Sequence, residues 1–174
     1  MIQIKPITKC EYGNRKFAYR FTTTGYYDIE RTETGLKLIR KPLLEPEEIC
    51  DPAFMLESWL PDPGAYGAFE GSRLIGFVEG YLEKWNSRYW ITNLHVFEPQ
   101  KRGAGIGTAL MARIQTTAHQ SGARMIALET QNNNENAIGF YLKNGFTPIG
   151  LDLYFYSNSD LEKHNVRLLL GKFL

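Results

Sequence analysis

The chain has 174 residues, 20 of them lysine or arginine and 19 aspartate or glutamate, for a net charge of +1. That length fits one domain with a sizeable core, expected over residues 1–174. The near-neutral charge argues against a whole-molecule electrostatic footprint, so no nucleic acid and no membrane is expected as a partner. Cys10 and Cys50 stand far apart and outside any Cys-x-x-Cys or Cys/His framework, so neither a disulfide scaffold nor a metal site is expected. No uncharged apolar run approaches the roughly 18 residues of a membrane span, and the opening Met-Ile-Gln-Ile-Lys-Pro has no secretory apolar region. A cytoplasmic chain is expected.

In chain order, Ile2 to Ile7 alternates as a strand, and Thr8 to Asn14 reads as a loop. Lys16 to Thr23, Tyr26 to Thr32 and Leu36 to Lys41 are β-branched and aromatic, with Thr/Gly breaks, and predict short strands or a hairpin. Glu45 to Leu60, with Ile49, Phe54, Met55 and Trp59, is a helix candidate that Pro52 must break or start. Tyr66 to Glu70, a Gly71-Ser72 turn and Arg73 to Leu82 predict a hairpin, and Tyr89 to Phe97 a third strand. Ala109, Leu110, Ile114 and Ala118 recur at helical spacing, with Gly122 as terminator. Met125 to Thr130 is a short buried strand. Asn134 to Asn144 is a short helix with Asn134 as N-cap and Gly145 as its stop. Phe146 to Tyr156 and Val166 to Leu174 are the last strands.

The most informative stretch joins the third strand to the first long helix. Gly103, Gly105 and Gly107 stand at alternate positions after Pro99-Gln100-Lys101-Arg102. Glycines so spaced let the main chain turn tightly and point several N–H groups at one place. A helix beginning near Gly105 adds its positive end, so a phosphate or pyrophosphate is the expected ligand. A P-loop is excluded because Gly107 is followed by Thr108 with no lysine. A dinucleotide-binding turn has the right order of strand, glycines and helix, with Glu129 ending the next apolar strand. Thr108 nevertheless occupies the place of its third small residue, and Pro99 to Arg102 separate strand from glycines. A glycine turn with no ligand stays open.

The segment resembles the acyl-CoA-binding signature of the GNAT N-acetyltransferase superfamily, Gln/Arg-x-x-Gly-x-Gly/Ala. It is met by Gln100-Lys101-Arg102-Gly103-Ala104-Gly105 and again by Arg102-Gly103-Ala104-Gly105-Ile106-Gly107. Asn134-x-x-Ala137-x-x-x-Tyr141-x-x-x-Gly145-Phe146 resembles the superfamily's second signature. The element order from Tyr66 onward is also that of its core, best matched over residues 66–174. The resemblance implies a mixed α/β fold with a central, twisted, mostly antiparallel sheet flanked by helices, and acyl-CoA held where strands splay. It implies that main-chain N–H groups of Arg102, Gly103, Ala104, Gly105, Ile106, Gly107 and Thr108 hold the pyrophosphate of acetyl-CoA. Leu94, His95 and Val96 would line its pantetheine, with Asn134 and Tyr141 completing the cofactor side. Within the superfamily, Tyr66-Gly67-Ala68-Phe69, Leu74-Ile75-Gly76, Trp85-Asn86, Leu128 to Asn133 and Ile149-Gly150-x-Asp152 resemble the streptothricin acetyltransferases. Two departures, Met55 to Pro63 and Ile91-Thr92-Asn93, lack acids usual there, which weakens the case for a polycationic acceptor.

The activity implied is transfer of acetyl from acetyl-CoA to a primary amine of a small molecule by direct attack, without a metal. Streptothricin-like antibiotics are among the candidate acceptors, and with them a role in resistance. A peptide or protein amine acetyltransferase and a non-catalytic acyl-CoA-binding module stay open, as does a homodimer. By resemblance Tyr141 is the donor to the departing thiolate, and a phenol with a reference pKa near 10 carries its proton at pH 7. The competing role for Tyr141 is packing, as Phe140 beside it shows. Glu79 shares a strand face with Phe77 and Tyr81, and a carboxylate among aromatics is the first candidate for the base. Glu129, His95 in a packed, hydrogen-bonded role, and an ordered-water route are the alternatives.

Overall fold

The computed structural model describes residues 2–174. Its elements are β1 Ile2–Pro6, α1 Lys9–Tyr12, β2 Arg15–Arg31, β3 Leu36–Met55, β4 Gly64–Glu70, β5 Arg73–Glu83 and β6 Arg88–Val96, then a 3-10 turn, Pro99–Lys101. There follow α2 Ile106–Gln120, β7 Met125–Gln131, α3 Glu135–Lys143, β8 Thr147–Asp152 and β9 Arg167–Phe173. The expected class holds: a mixed α/β chain with a large, mostly antiparallel sheet and flanking helices. Internal contacts divide the chain into two compact units, one of Met1–Arg20, Cys50–Leu128 and Lys172–Leu174, the other of Phe21–Ile49 and Glu129–Gly171.

In the first unit the strands lie in the order β1-β4-β5-β6-β7. The pairs β1·β4, β4·β5 and β5·β6 are antiparallel, and β6·β7 is parallel. A parallel pair needs a crossover, and α2 supplies it. One stripe of α2, Ile106, Leu110, Ile114 and Ala118, is buried at four-residue spacing, and the helix packs on β4, β5 and β6. Across that contact Tyr66 Oη and Thr117 Oγ1 share a hydrogen bond of 2.8 Å. The opposite side of the sheet carries a core of Ile7, Met55, Leu56, Ala65 and Phe77, with Phe17 and Phe97 packed against it. Phe17 meets the Phe77 ring edge-on at 5.2 Å.

In the second unit β9 pairs antiparallel with β8, from Thr147↔Gly171 to Asp152↔Arg167, and lies beside the end of β7. Asn132, just past β7, ties this unit together. Its main chain and side chain both exchange hydrogen bonds with Val166, and its Nδ2 and carbonyl engage the carbonyl and N–H of Tyr27, all at 2.7–2.9 Å.

Three expected elements differ. Thr8 to Asn14 contains α1, whose first turn is closed by Glu11: its Oε2 accepts from the Thr8 N–H at 3.2 Å and the Thr8 hydroxyl at 2.8 Å. The helix expected over Glu45 to Leu60 is strand as far as Met55. Pro46 and Pro52 cannot donate inside a helix, whereas β3, which lies at an edge of the two-stranded β2-β3 sheet, tolerates them. The strand expected over Phe146 to Tyr156 stops at Asp152, whose Oδ1 accepts from the Tyr154 N–H at 3.2 Å and turns the chain.

Candidate active site

The glycine turn is built by short-range geometry. After β6 the 3-10 turn and an extended Arg102 lead into Gly103 at φ 85° and Gly105 at φ 81°, a backbone conformation that favours glycine. Gly105 is the N-cap of α2, and the first intrahelical bond runs from the Ala109 N–H to the Gly105 carbonyl at 3.0 Å. The N–H groups of Ile106, Gly107 and Thr108 therefore have no partner within their own helix, and glycine offers no capping side chain. Among the described residues, a Cβ built on Gly103 or Gly105 meets nothing within 4 Å, so the space beside the turn is open. These features fit a diphosphate.

The basic side chains here are turned elsewhere. Lys101 donates to Glu70 at 2.6 Å. Arg102 donates to the carbonyls of Val96 at 3.2 Å and Arg20 at 2.6 Å. The groups at this turn that could meet an anion are therefore its main-chain N–H groups and the helix dipole.

Strand β6 leads into the turn. Its ladder with β7 covers only Arg88↔Met125 to Trp90↔Ala127, so the strand edge from Ile91 to Val96 lies outside that ladder. Leu94 is partly exposed, and His95 and Val96 are buried. The His95 ring sits 5.3 Å from that of Phe17, 5.4 Å from Tyr19 and 5.7 Å from Phe97, and its Nε2 makes no hydrogen bond among the described residues. Burial, with the Arg102 charge second, holds its pKa down to about 4 from 6.5. His95 is thus packed as expected, but its Nε2 lacks the hydrogen bond that role would supply. A depressed folded pKa contributes stability above the unfolded value that is lost as pH falls, so the protein should weaken from about pH 6.5 towards pH 4. Urea melts at pH 7 and pH 5 check this; the drop should be smaller in His95→Gln.

Glu79 is fully buried, and three donors converge on it. The Leu56 N–H reaches Oε2 at 2.7 Å, Asn93 Nδ2 reaches Oε1 at 2.7 Å, and the Thr92 hydroxyl lies 3.3 Å from Oε1. Neighbouring side chains on a regular strand point to opposite faces, so Thr92 and Asn93 reach one carboxylate because the β5·β6 register shifts here: Glu79 pairs with Asn93 but Gly80 with Ile91. Gly80 makes room for this bulge, since a Cβ there would stand 2.5 Å from the Trp90 carbonyl oxygen. Desolvation raises the Glu79 pKa, the donors from Asn93, Leu56 and Thr92 oppose it, and the charge of Glu57 adds a smaller raise. Tyr81 on the same face meets Trp59 edge-on, with ring centres 6.3 Å apart. Sequence reasoning read Thr92 and Asn93 only as missing acids. The signal for their role was two polar residues in succession between Ile91 and Leu94, which breaks strand alternation.

In the second unit Asn134 caps α3, its Oδ1 accepting from the Ala137 N–H at 3.2 Å. The Glu135 Oε1 accepts from the Thr24 N–H and hydroxyl, and its Oε2 from Arg40 at 2.9 Å. Tyr141 is 7% exposed, with its ring 5.8 Å from Phe146 and 5.4 Å from Phe140. Glu129 is paired with Arg167 and accepts from the Tyr156 hydroxyl at 3.0 Å, which gives it a structural tie within this unit.

Comparison with known proteins adds four findings. The family model described as "Acetyltransferase (GNAT) family" matches residues 27–146. A streptothricin acetyltransferase from Escherichia coli is 36% identical over 95 residues, 55% of this chain, and the match spans only about half, 53%, of that relative. The crystal structure of a nourseothricin acetyltransferase is similar over 99% of this chain and 98% of its own, with a TM-score of 0.80 and 27% identity. A Bacillus anthracis str. Ames structure in complex with acetyl coenzyme A has the same fold, with a TM-score of 0.78 at 20% identity over 100% of this chain and 98% of that one.

Proposed function

We propose, for a chain that belongs to the acetyltransferase (GNAT) family, that it moves acetyl from acetyl-CoA to a primary amine of a small molecule by direct attack. The observation that carries this is the glycine turn: positive φ at Gly103 and Gly105, an open flank, and the uncapped start of α2. Main-chain N–H groups of Gly103, Gly105, Ile106, Gly107 and Thr108 hold the pyrophosphate, those of Arg102 and Ala104 being engaged by the Pro99 and Lys101 carbonyls, and the pantetheine lies along Leu94 to Val96. Likeness to the nourseothricin enzyme along nearly the whole chain supports a small-molecule acceptor, and a streptothricin-type amine is the first to test. The reading implies a cytoplasmic enzyme.

The amine arrives mostly as ammonium and must lose a proton before its nitrogen can attack. Glu79 accepts that proton. As the C–N bond forms and the C–S bond breaks, the Tyr141 hydroxyl gives its proton to the leaving thiolate. A buried carboxylate held by three donors favours a catalyst over a module that only binds acyl-CoA.

Thiol release from acetyl-CoA with a panel of amines tests the activity, and Gly105→Val tests the cofactor site. At φ 81° a β-branched residue is strained, and its side chain enters the space beside the helix start. Acetyl-CoA affinity should fall by roughly 10²-fold, about 2.7 kcal/mol, as read by calorimetry on a variant whose melt shows it folded. Unchanged affinity in that folded variant overturns the assignment. Arg102→Ala should weaken binding less, because its guanidinium bonds carbonyls of the protein.

A further inference from the structure

Glu79 is completely enclosed, so an acceptor amine beside the stretch of β6 beyond its ladder with β7 cannot hand it a proton by contact. Something between them must both take a proton and give one. Of its three donors, the Leu56 main-chain N–H and the Asn93 side-chain amide donate from nitrogens that do not accept, whereas a hydroxyl does both. The hydroxyl belongs to Thr92. It is partly exposed, and the bulge turns it towards Glu79 when regular alternation would turn it away.

Its place along the strand also fits. The β6·β7 ladder ends at Trp90, and Thr92 lies two residues beyond, on the stretch of β6 that leads to the glycine turn. From Val96 back to Thr92 is about 13 Å of strand, at roughly 3.3 Å per residue. An extended pantetheine arm anchored at the turn spans such a distance, which brings the thioester, and the amine attacking it, to Thr92.

We propose that the Thr92 hydroxyl is the proton relay between the acceptor amine and Glu79, with Asn93 fixing the carboxylate in register. The ammonium gives a proton to Thr92 Oγ1 while the proton already on Oγ1 passes to Glu79 Oε1. The net change is ammonium and carboxylate to free amine and carboxylic acid, with threonine restored. This rests on the reading of Glu79 as the base.

The test compares Thr92→Val, which keeps the shape and β-branching but has no hydroxyl, with Thr92→Ser, which keeps the hydroxyl. Using an amine accepted in the thiol-release panel, Thr92→Val should lower kcat by roughly 10²-fold, and Thr92→Ser should stay within about threefold of the wild type. Acetyl-CoA affinity and melting temperature should be near wild type in both. Should Thr92→Val melt far below the wild type, Thr92→Ala takes its place in the comparison. Wild-type turnover in the variant without a hydroxyl overturns the relay, and so does an equal loss in Thr92→Ser. Glu79→Gln measured alongside separates the two ideas. If it turns over at the wild-type rate, the base assignment itself fails; if it is impaired while Thr92→Val is fully active, only the relay fails.

Discussion

Glu79→Gln is expected to lower kcat/KM for the acceptor amine by roughly 10²- to 10⁴-fold, the scale of one positioned proton-transfer group, while acetyl-CoA affinity stays near the wild-type value. Glutamine keeps the shape and one acceptor oxygen but is not a base. The assignment turns on the opposing influences at the carboxylate. Desolvation raises the pKa and three donors oppose that rise, which leaves a group more basic than an exposed glutamate. A base works in its ionised form, so kcat/KM should fall as pH drops through the raised pKa, and this acid limb should vanish in Glu79→Gln. Asn93→Asp makes the complementary change. It replaces a donor 2.7 Å from Oε1 by a second carboxylate, and like charges at that distance move the limb to higher pH. A Glu79→Gln enzyme with the wild-type rate and pH profile would mean that the proton leaves by another route, such as a chain of water.

The glycine turn, α2 and α3 were legible because their signals are local. Positive-φ glycines, a four-residue apolar stripe and an Asn N-cap need only neighbours in sequence to act. The hairpin of β4 and β5 was legible for the same reason. What escaped was decided by distant partners, with one exception. Thr8-x-x-Glu11 is a local capping signal and was readable, yet α1 is only four residues long and gave no periodicity to attract notice. The stretch from Glu45 to Met55 has helix-spaced apolar residues, and only its pairing with β2, Arg15–Arg31, makes it strand. At the candidate site, the face shared by Phe77, Glu79 and Tyr81 was readable from alternation. That Leu56, Thr92 and Asn93 would converge on Glu79 was not, since it needs a bulge in one strand and a main-chain N–H from a segment 23 residues away. The two residues judged by what they lacked, acid groups, are two of the three that hold the carboxylate.

Tyr141→Phe should leave the fold and acetyl-CoA binding nearly unchanged and lower turnover by roughly 10²-fold or more. The ring is buried against Phe146 and Phe140, and phenylalanine fills the same space, so the substitution removes only the hydroxyl. If that hydroxyl protonates the departing thiolate, its contribution exists only as the C–S bond breaks. A group acting only in the transition state affects kcat and kcat/KM together, so both should fall by the same factor with KM little changed. Single-turnover measurements keep slow product release from hiding the effect. A Tyr141→Phe enzyme that matches the wild type in single turnover would make Tyr141 a packing residue of α3, with the thiolate leaving unprotonated or taking its proton from solvent.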